Sequence, residues 1–278
     1  MDIANYLSLL GGISMFLFGM HVMGDGLEKC AGNQLKTILE KLTSSTFKGF
    51  LLGLGVTLLI QSSCATAVMA VGFVNSGLMT LHQATGVIMG ANLGTSVTAW
   101  LLATSGIEGE GILQLLKPDS FAPIFAFIGI VLYMFQKNKR RKDIGLIFVG
   151  FGVLMIGMNI MSGAVAPLKD SPTFQSVLLK FANPIVGVLA GMIFTAIIQS
   201  SSASVGILQA FSLTGAVTYS VAIPIIVGQN IGTCFSAMIS SIGAGKNARR
   251  VSFVHLYFNV LAAIIILPLF YLANSIFK

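Results

Sequence analysis

Gln61, Ser62, Ser63 and Cys64 return 138 residues later as Gln199, Ser200, Ser201 and Ser202. Carboxamides and hydroxyls in such a run donate and accept hydrogen bonds but carry no charge. Between positions 49 and 103, and again between 181 and 241, there is no Lys, Arg, Asp or Glu, so no acid or base stands beside the serines in sequence. The chemistry on offer is coordination of a desolvated ion rather than nucleophilic attack. A buried ion without a counter-charge costs several kcal/mol even after relaxation. A site of this kind, expected to hold no fixed charge, would therefore take an anion together with cations, which gives a physical reason for coupled movement of the two.

The repeat is wider than the tetrapeptides. The same offset applied from Gly12 to Ala99 gives 23 identical pairs in 88, among them Gly19 with Gly157, Gly53 with Gly191 and Thr57 with Thr195. Asn92-Leu93-Gly94-Thr95 likewise pairs with Asn230-Ile231-Gly232-Thr233. Polar sequence duplicated inside an apolar chain points to a transporter binding site between two structural repeats. In the second duplicated element, glycines at 90 and 94 and at 228 and 232 weaken a helix by about 1 kcal/mol each relative to alanine. We expect the helix to be broken there, freeing carbonyls to join Thr95, Thr98, Thr233 and Ser236 as oxygen ligands for an alkali cation. The same glycines also fit a small-xxx-small packing face.

These residues need elements to position them. The chain is 55% hydrophobic and 9% charged, with mean hydropathy +0.90, far from the roughly 25% charged residues of a soluble domain. The expected class is an all-α integral membrane protein. Segments 5–24, 81–103, 121–136, 144–162, 218–241 and 251–273 are long enough to cross a bilayer. The stretches holding the Gln-Ser-Ser sequences, 50–76 and 185–214, are divided by polar residues into pieces too short to cross alone. Each is read as a re-entrant helical hairpin with the Gln-Ser-Ser loop at its tip, tolerable at depth where the free backbone faces protein or a cavity. One kinked helix per stretch is the alternative.

With hairpins, each half has three crossings and the repeats have inverted topology: residues 1–136 and 144–278, joined by a basic cytoplasmic linker at 137–143. With the N- and C-termini outside, twelve Lys and Arg fall on one face and four on the other. The positive-inside rule makes the first face cytoplasmic in the plasma (inner) membrane, so the net charge of +7 reflects orientation and nucleic acid is excluded as a partner. Residues 27–46 and 166–181 are expected along the interface, with Trp100 in its outer belt. No cleavable leader pattern precedes the first apolar stretch. Cys30, Cys64 and Cys234 lack the spacing of a zinc site or a disulfide framework. His21, His82 and His255 are read as helix-end residues without carboxylate partners and receive no coupling role. A helix beginning at Ser63 or Ser201 presents free N–H groups and its positive pole to an anion. The carbonyls near Leu59 and Ile197 offer the opposite polarity to a cation.

The paired Gln-Ser-Ser hairpins, with Gly-Ala-Asn-Leu-Gly-Thr-Ser-Val-Thr at 90–98 and Gly-Gln-Asn-Ile-Gly-Thr at 228–233, resemble the type II sodium/phosphate cotransporters and their bacterial relatives. The resemblance covers most of the chain. It implies sodium-coupled symport of inorganic phosphate by alternating access, with sodium as the coupling ion, no further cofactor and no enzymatic activity. It also implies that Ser62, Ser63, Ser200 and Ser201 contact phosphate, with Cys64, Ser202, Asn92 and Asn230 in the same anion lining. Gln61, Gln199, Thr233 and Ser236 would hold sodium, alongside Thr95 and Thr98. Cys64 stands where the second copy has Ser202, and a thiol is a weaker donor than a hydroxyl. Read from the residues alone, a sodium-coupled carrier of a carboxylate or sulfate, or a channel with two half-membrane loops, remains open.

Overall fold

A computed structural model describes residues 2–31, 45–103, 118–168, 180–215 and 217–276, together with 171, 173 and 176. Ten α-helices hold the described residues: α1 Ile3–Ala31, α2 Thr46–Ile60, α3 Ser63–Asn75, α4 Leu81–Ala103, α5 Pro118–Phe135, α6 Lys139–Val165, α7 Pro184–Ile198, α8 Ser201–Ser212, α9 Tyr219–Ser240 and α10 Lys246–Ile276. No strand occurs among the described residues. Four helical stretches, Ile3–Leu27, Lys139–Leu168, Tyr219–Ser240 and Lys246–Ile276, are long and apolar enough to cross a membrane by length and composition. The polar residues clustered at 92–98 lower the hydropathy of α4, which is not among them. The expected interfacial segments lie mostly outside the described residues.

Capping residues set several of these starts. Ser45 accepts from the Lys48 amide at 3.3 Å and Asn183 from the Ile185 amide at 3.0 Å, with Pro184 opening the helix. Asn138 accepts from the Arg140 amide at 2.9 Å. That cap draws the basic run into α6, so most of the expected linker is helical and only 136–138 join α5 to α6.

Lipid tails are as apolar as leucine, so helix association inside a bilayer rests on close approach of small residues. A Cβ added to Gly53 would stand 2.0 Å from the Val87 carbonyl oxygen, and one on Gly90 1.9 Å from that of Phe50. In the second half, Gly191 and Gly228 meet the carbonyls of Ile225 and Val188 at 2.0 Å each. These contacts explain a departure from expectation: α4 and α9 run unbroken through 90–95 and 228–233. Their glycines admit a neighbouring backbone instead of unwinding the helix.

The contacts also fix direction. Gly49 meets Gln83, Gly53 meets Val87 and Gly94 meets Thr57, so α2 and α4 run parallel and α3 must return the chain between them. The order Gly187 with Pro224, Gly191 with Ile225 and Gly232 with Thr195 makes α7 and α9 parallel, with α8 returning. Gly77 (φ 75°) and Gly215 (φ 72°) turn the chain at matching positions after the returning helices, a left-handed conformation that a side chain would strain. By contrast α1 and α6 are antiparallel: an added Cβ on Gly12 meets the Gly157 carbonyl at 3.0 Å, and one on Gly19 meets the Gly150 carbonyl at 2.7 Å.

Each returning helix packs against the other half of the chain. Ala67, Ala70 and Val71 of α3 share a buried cluster with Ala237 of α9 and Val251 of α10. Ala203 and Ile207 of α8 share another with Phe16 of α1. The Phe16 ring rests on Gly206, where a Cβ would come within 2.0 Å of Cζ. This exchange carries the two serine loops toward each other.

Candidate functional site: two helix breaks facing one cavity

The breaks at 61–62 and 199–200 are built alike. Gln61 (φ 58°) and Gln199 (φ 59°) end α2 and α7 in the left-handed region, and among the described residues they alone do so without being glycine. Glycine is the usual residue there, and a side chain in that conformation costs of order 1–2 kcal/mol. The side chain is put to use. Gln61 Nε2 donates to the Leu58 carbonyl at 2.7 Å, and Gln199 Nε2 donates to that of Ala196. Each Oε1 accepts a hydroxyl from the long parallel helix: Thr98 to Gln61 and Ser236 to Gln199, both at 2.5 Å.

Ser62 and Ser200 then cap the returning helices, accepting from the Ala65 and Ala203 amides at 3.2 Å each. Behind the caps, Thr57 donates to Thr66 at 2.9 Å and Thr195 to Ser204 at 2.8 Å, buried bonds that tie the outgoing helix to the returning one. Each break therefore sets the positive pole of one helix beside the negative pole of another. An anion is stabilised at the first and a cation at the second.

Gln61, Ser62, Thr98, Ser200 and Ser202 line one cavity of about 340 Å³. The Cys64 thiol reaches the second half, 4.0 Å from the Thr233 carbonyl. Ser63 and Ser201 are 3% and 4% exposed, and the Ser63 hydroxyl has no hydrogen-bond partner. A buried donor without a partner is costly in a finished core and useful where an ion is to be received.

Other expected residues face elsewhere. Asn92 donates to the Ile88 carbonyl at 3.2 Å, and its Oδ1 lies 3.2 Å from His255 Nε2 and 3.5 Å from Asn259 Nδ2, which turns it toward α10. Asn230 is exposed. The Thr95 and Thr233 hydroxyls bond back to the carbonyls of Ala91 and Gln229, at 3.2 and 3.0 Å. With the helices unbroken, those carbonyls are not released as expected. His255, expected at a helix end, is 1% exposed inside α10. Trp100 is 74% exposed and edges an apolar cavity with Phe121 and Phe125.

One charged residue was missed and one histidine misread. Asp25 and His21, on α1, also line the cavity of the serine loops, so the Asp25 carboxylate gives it a fixed charge and His21 has the carboxylate neighbour it was not expected to have. His21 lies 3.9 Å and Lys29 3.8 Å from the Asp25 carboxylate. The i,i+4 spacing of this trio was visible in the sequence, but its place at the cavity was not, because α1 is far from both loops along the chain. No group of three His, Cys, Asp or Glu side chains that could hold a metal occurs among the described residues.

Comparison with known proteins bears on this geometry. The chain is 28% identical over 267 residues to the "Putative inorganic phosphate export protein YjbB" of Escherichia coli K12, an alignment covering 96% of this chain and 47% of that protein. The chain thus spans about half the length of that relative. It is 30% identical over 257 residues to the "Uncharacterized protein YqeW" of Bacillus subtilis, covering 92% and 80% respectively. Human "Sodium-dependent phosphate transport protein 2B" is 35% identical over 149 residues, 50% of this chain and 21% of that one. No solved structure matches. The described residues are helical and largely apolar, the Na+/Pi-cotransporter family matches residues 15–163 and 169–276, and the chain belongs to that family.

Proposed function

We propose that the chain is a secondary transporter in which sodium binding drives movement of inorganic phosphate across the membrane. The observation that carries this reading is the meeting of two serine-bearing helix breaks at one cavity, each with a positive and a negative helix pole. Phosphate is received by the N-terminal poles of α3 and α8, through Ser62, Ser63, Ser200 and Ser201 with Cys64 and Ser202 beside them. Sodium is received at the C-terminal poles of α2 and α7, through Gln61 with Thr98 and Gln199 with Ser236. Asn92 acts from behind these sets, tying α4 to α10 through His255 and Asn259, while the Thr95 and Thr233 hydroxyls stay bonded to their own helices and Asn230 is exposed.

The antiparallel α1 and α6, and the parallel helices flanking each returning α3 and α8, support inverted repeats whose hairpins re-enter the face they left. The basic loops then lie in the cytoplasm and the termini outside. Alternating access is a rocking of one hairpin-bearing half against the other about the shared cavity.

Radiolabelled phosphate flux in proteoliposomes tests the reading. An inward sodium gradient should drive saturable accumulation that potassium does not replace, and competition with sulfate or a small carboxylate should be weak. Flux without saturation, or without accumulation, would overturn it in favour of a channel. Relatives named for phosphate export favour outward flux as the direction in cells. The same vesicles, loaded with phosphate and sodium, should release both together when the gradients point outward.

A further inference from the structure

Asp25 stands beside the negative pole of α2 in a cavity that also takes the N-caps of α3 and α8. It lines the cavity with Gln61, Ser62 and Thr98, and its neighbour Gly24 packs on the end of α2, where an added Cβ would stand 3.3 Å from the Ile60 carbonyl oxygen. Of the last carbonyls of α2, Thr57 accepts from the Gln61 amide and Leu58 from the Gln61 side chain. Helix geometry leaves those of Leu59 and Ile60 without intrahelical donors. The negative pole of a helix repels a carboxylate. Among the described residues the ion-pair partners of Asp25 are His21 and Lys29, both on its own helix, largely exposed and near 4 Å. Such contacts contribute little. A carboxylate, an amide oxygen and a hydroxyl that line one cavity with Ile60 offer hard oxygens of the kind a small cation takes.

The second half lacks this charge. At the 138-residue offset, Asp25 becomes Gly163, His21 becomes Asn159 and Lys29 becomes Pro167, while Gln61 and Thr98 keep Gln199 and Ser236. We propose that Asp25 supplies the carboxylate of an alkali-cation site on the C-terminal pole of α2, completed by the Ile60 carbonyl, Gln61 Oε1 and the Thr98 hydroxyl. The matching place at Gln199 and Ser236 is an uncharged, weaker counterpart. This rests on the sodium-coupled reading above and makes its two cation positions unequal. A cation beside Asp25 is neutralised by the protein. The charge of phosphate is then left to the cation at the uncharged position.

The test is equilibrium binding of radiolabelled sodium, and of radiolabelled phosphate as sodium is varied, to the full chain in lipid nanodiscs. Asp25→Asn, nearly isosteric at a half-exposed position, should lose one bound sodium per chain and raise the sodium concentration for half-maximal phosphate binding about tenfold or more. Asp25→Glu should restore the sodium count. If phosphate binding to the unaltered chain ignores sodium, the coupled reading itself fails. If it needs sodium and Asp25→Asn binds as many ions with the same half-saturation, only the Asp25 site is overturned. Loss of phosphate binding at saturating sodium, with the sodium count intact, would also overturn it, since Asp25 would then serve the anion.

Discussion

Thr98 Oγ1 donates to Gln61 Oε1 at 2.5 Å across a separation of 37 residues, joining the left-handed end of α2 to the C-terminal part of α4. Thr98→Val keeps the volume and removes the donor. We expect stability to fall by about 1 kcal/mol and the sodium concentration for half-maximal transport to rise about tenfold, with phosphate affinity at saturating sodium less affected. Linkage ties the two ligands together, so binding is measured with the partner ion saturating. A fall in phosphate affinity with unchanged sodium dependence would reverse the assignment of cation and anion to the two helix poles.

Ser63 lets the proposed anion contact be told apart from a structural role. Its oxygen is buried and unpartnered, so Ser63→Ala removes no internal bond and should leave the melting temperature in detergent unchanged or slightly raised. Phosphate binding should weaken by about 1–3 kcal/mol, tenfold or more. Undiminished phosphate affinity would remove Ser63 from the anion site.

The close helix contacts predict sharp differences between glycines. Gly90→Ala places a methyl 1.9 Å from the Phe50 carbonyl, whereas Gly55 has nothing within 4 Å of an added Cβ. Overpacking costs typically 1–3 kcal/mol, so Gly90→Ala should lower thermal stability clearly and Gly55→Ala should not. Equal melting temperatures for the two would contradict the parallel packing of α2 on α4.

Cys30 and Cys64 are partly exposed and Cys234 is 0% exposed, and of the first two only Cys64 lies at a serine loop. A small, charged thiol reagent should therefore block transport through Cys64, phosphate should slow the block, and Cys64→Ala should abolish it. Persistence of the block in Cys64→Ala would move the reactive thiol elsewhere.

Topology is open to a direct measurement. Leu78 is 61% exposed after α3 and Tyr219 82% exposed at the start of α9, after α8. In a chain without native cysteines, Leu78→Cys should label from the cytoplasm and Tyr219→Cys from outside. Labelling of both from one side contradicts the inverted repeats.

What could be read from the sequence is what lies within one repeat. The pairing of Gln61-Ser62 with Gln199-Ser200 foretold two breaks of one design, and both glutamines adopt φ values within one degree of each other. Misread features depend on partners distant in sequence. Glycines at 90 and 94 suit an unwound helix and a tight interface equally, and the arrival of Phe50 and Leu54 decides for the second. Asn92 belongs to the polar stripe of α4, but the direction of its amide is set by His255 and Asn259. Asp25 lies outside the duplicated polar elements, and only the packing of Gly24 on Ile60 reveals that it faces them.

The crossing of α1 with α6 has a further meaning. Gly12 meets Gly157 and Gly19 meets Gly150, while the duplication makes Gly12 equivalent to Gly150 and Gly19 to Gly157. The surface is self-complementary, like the isologous face of a two-fold homodimer. A seam of this kind is one that two copies of a single half could form with each other, since each equivalent glycine serves on both sides of it.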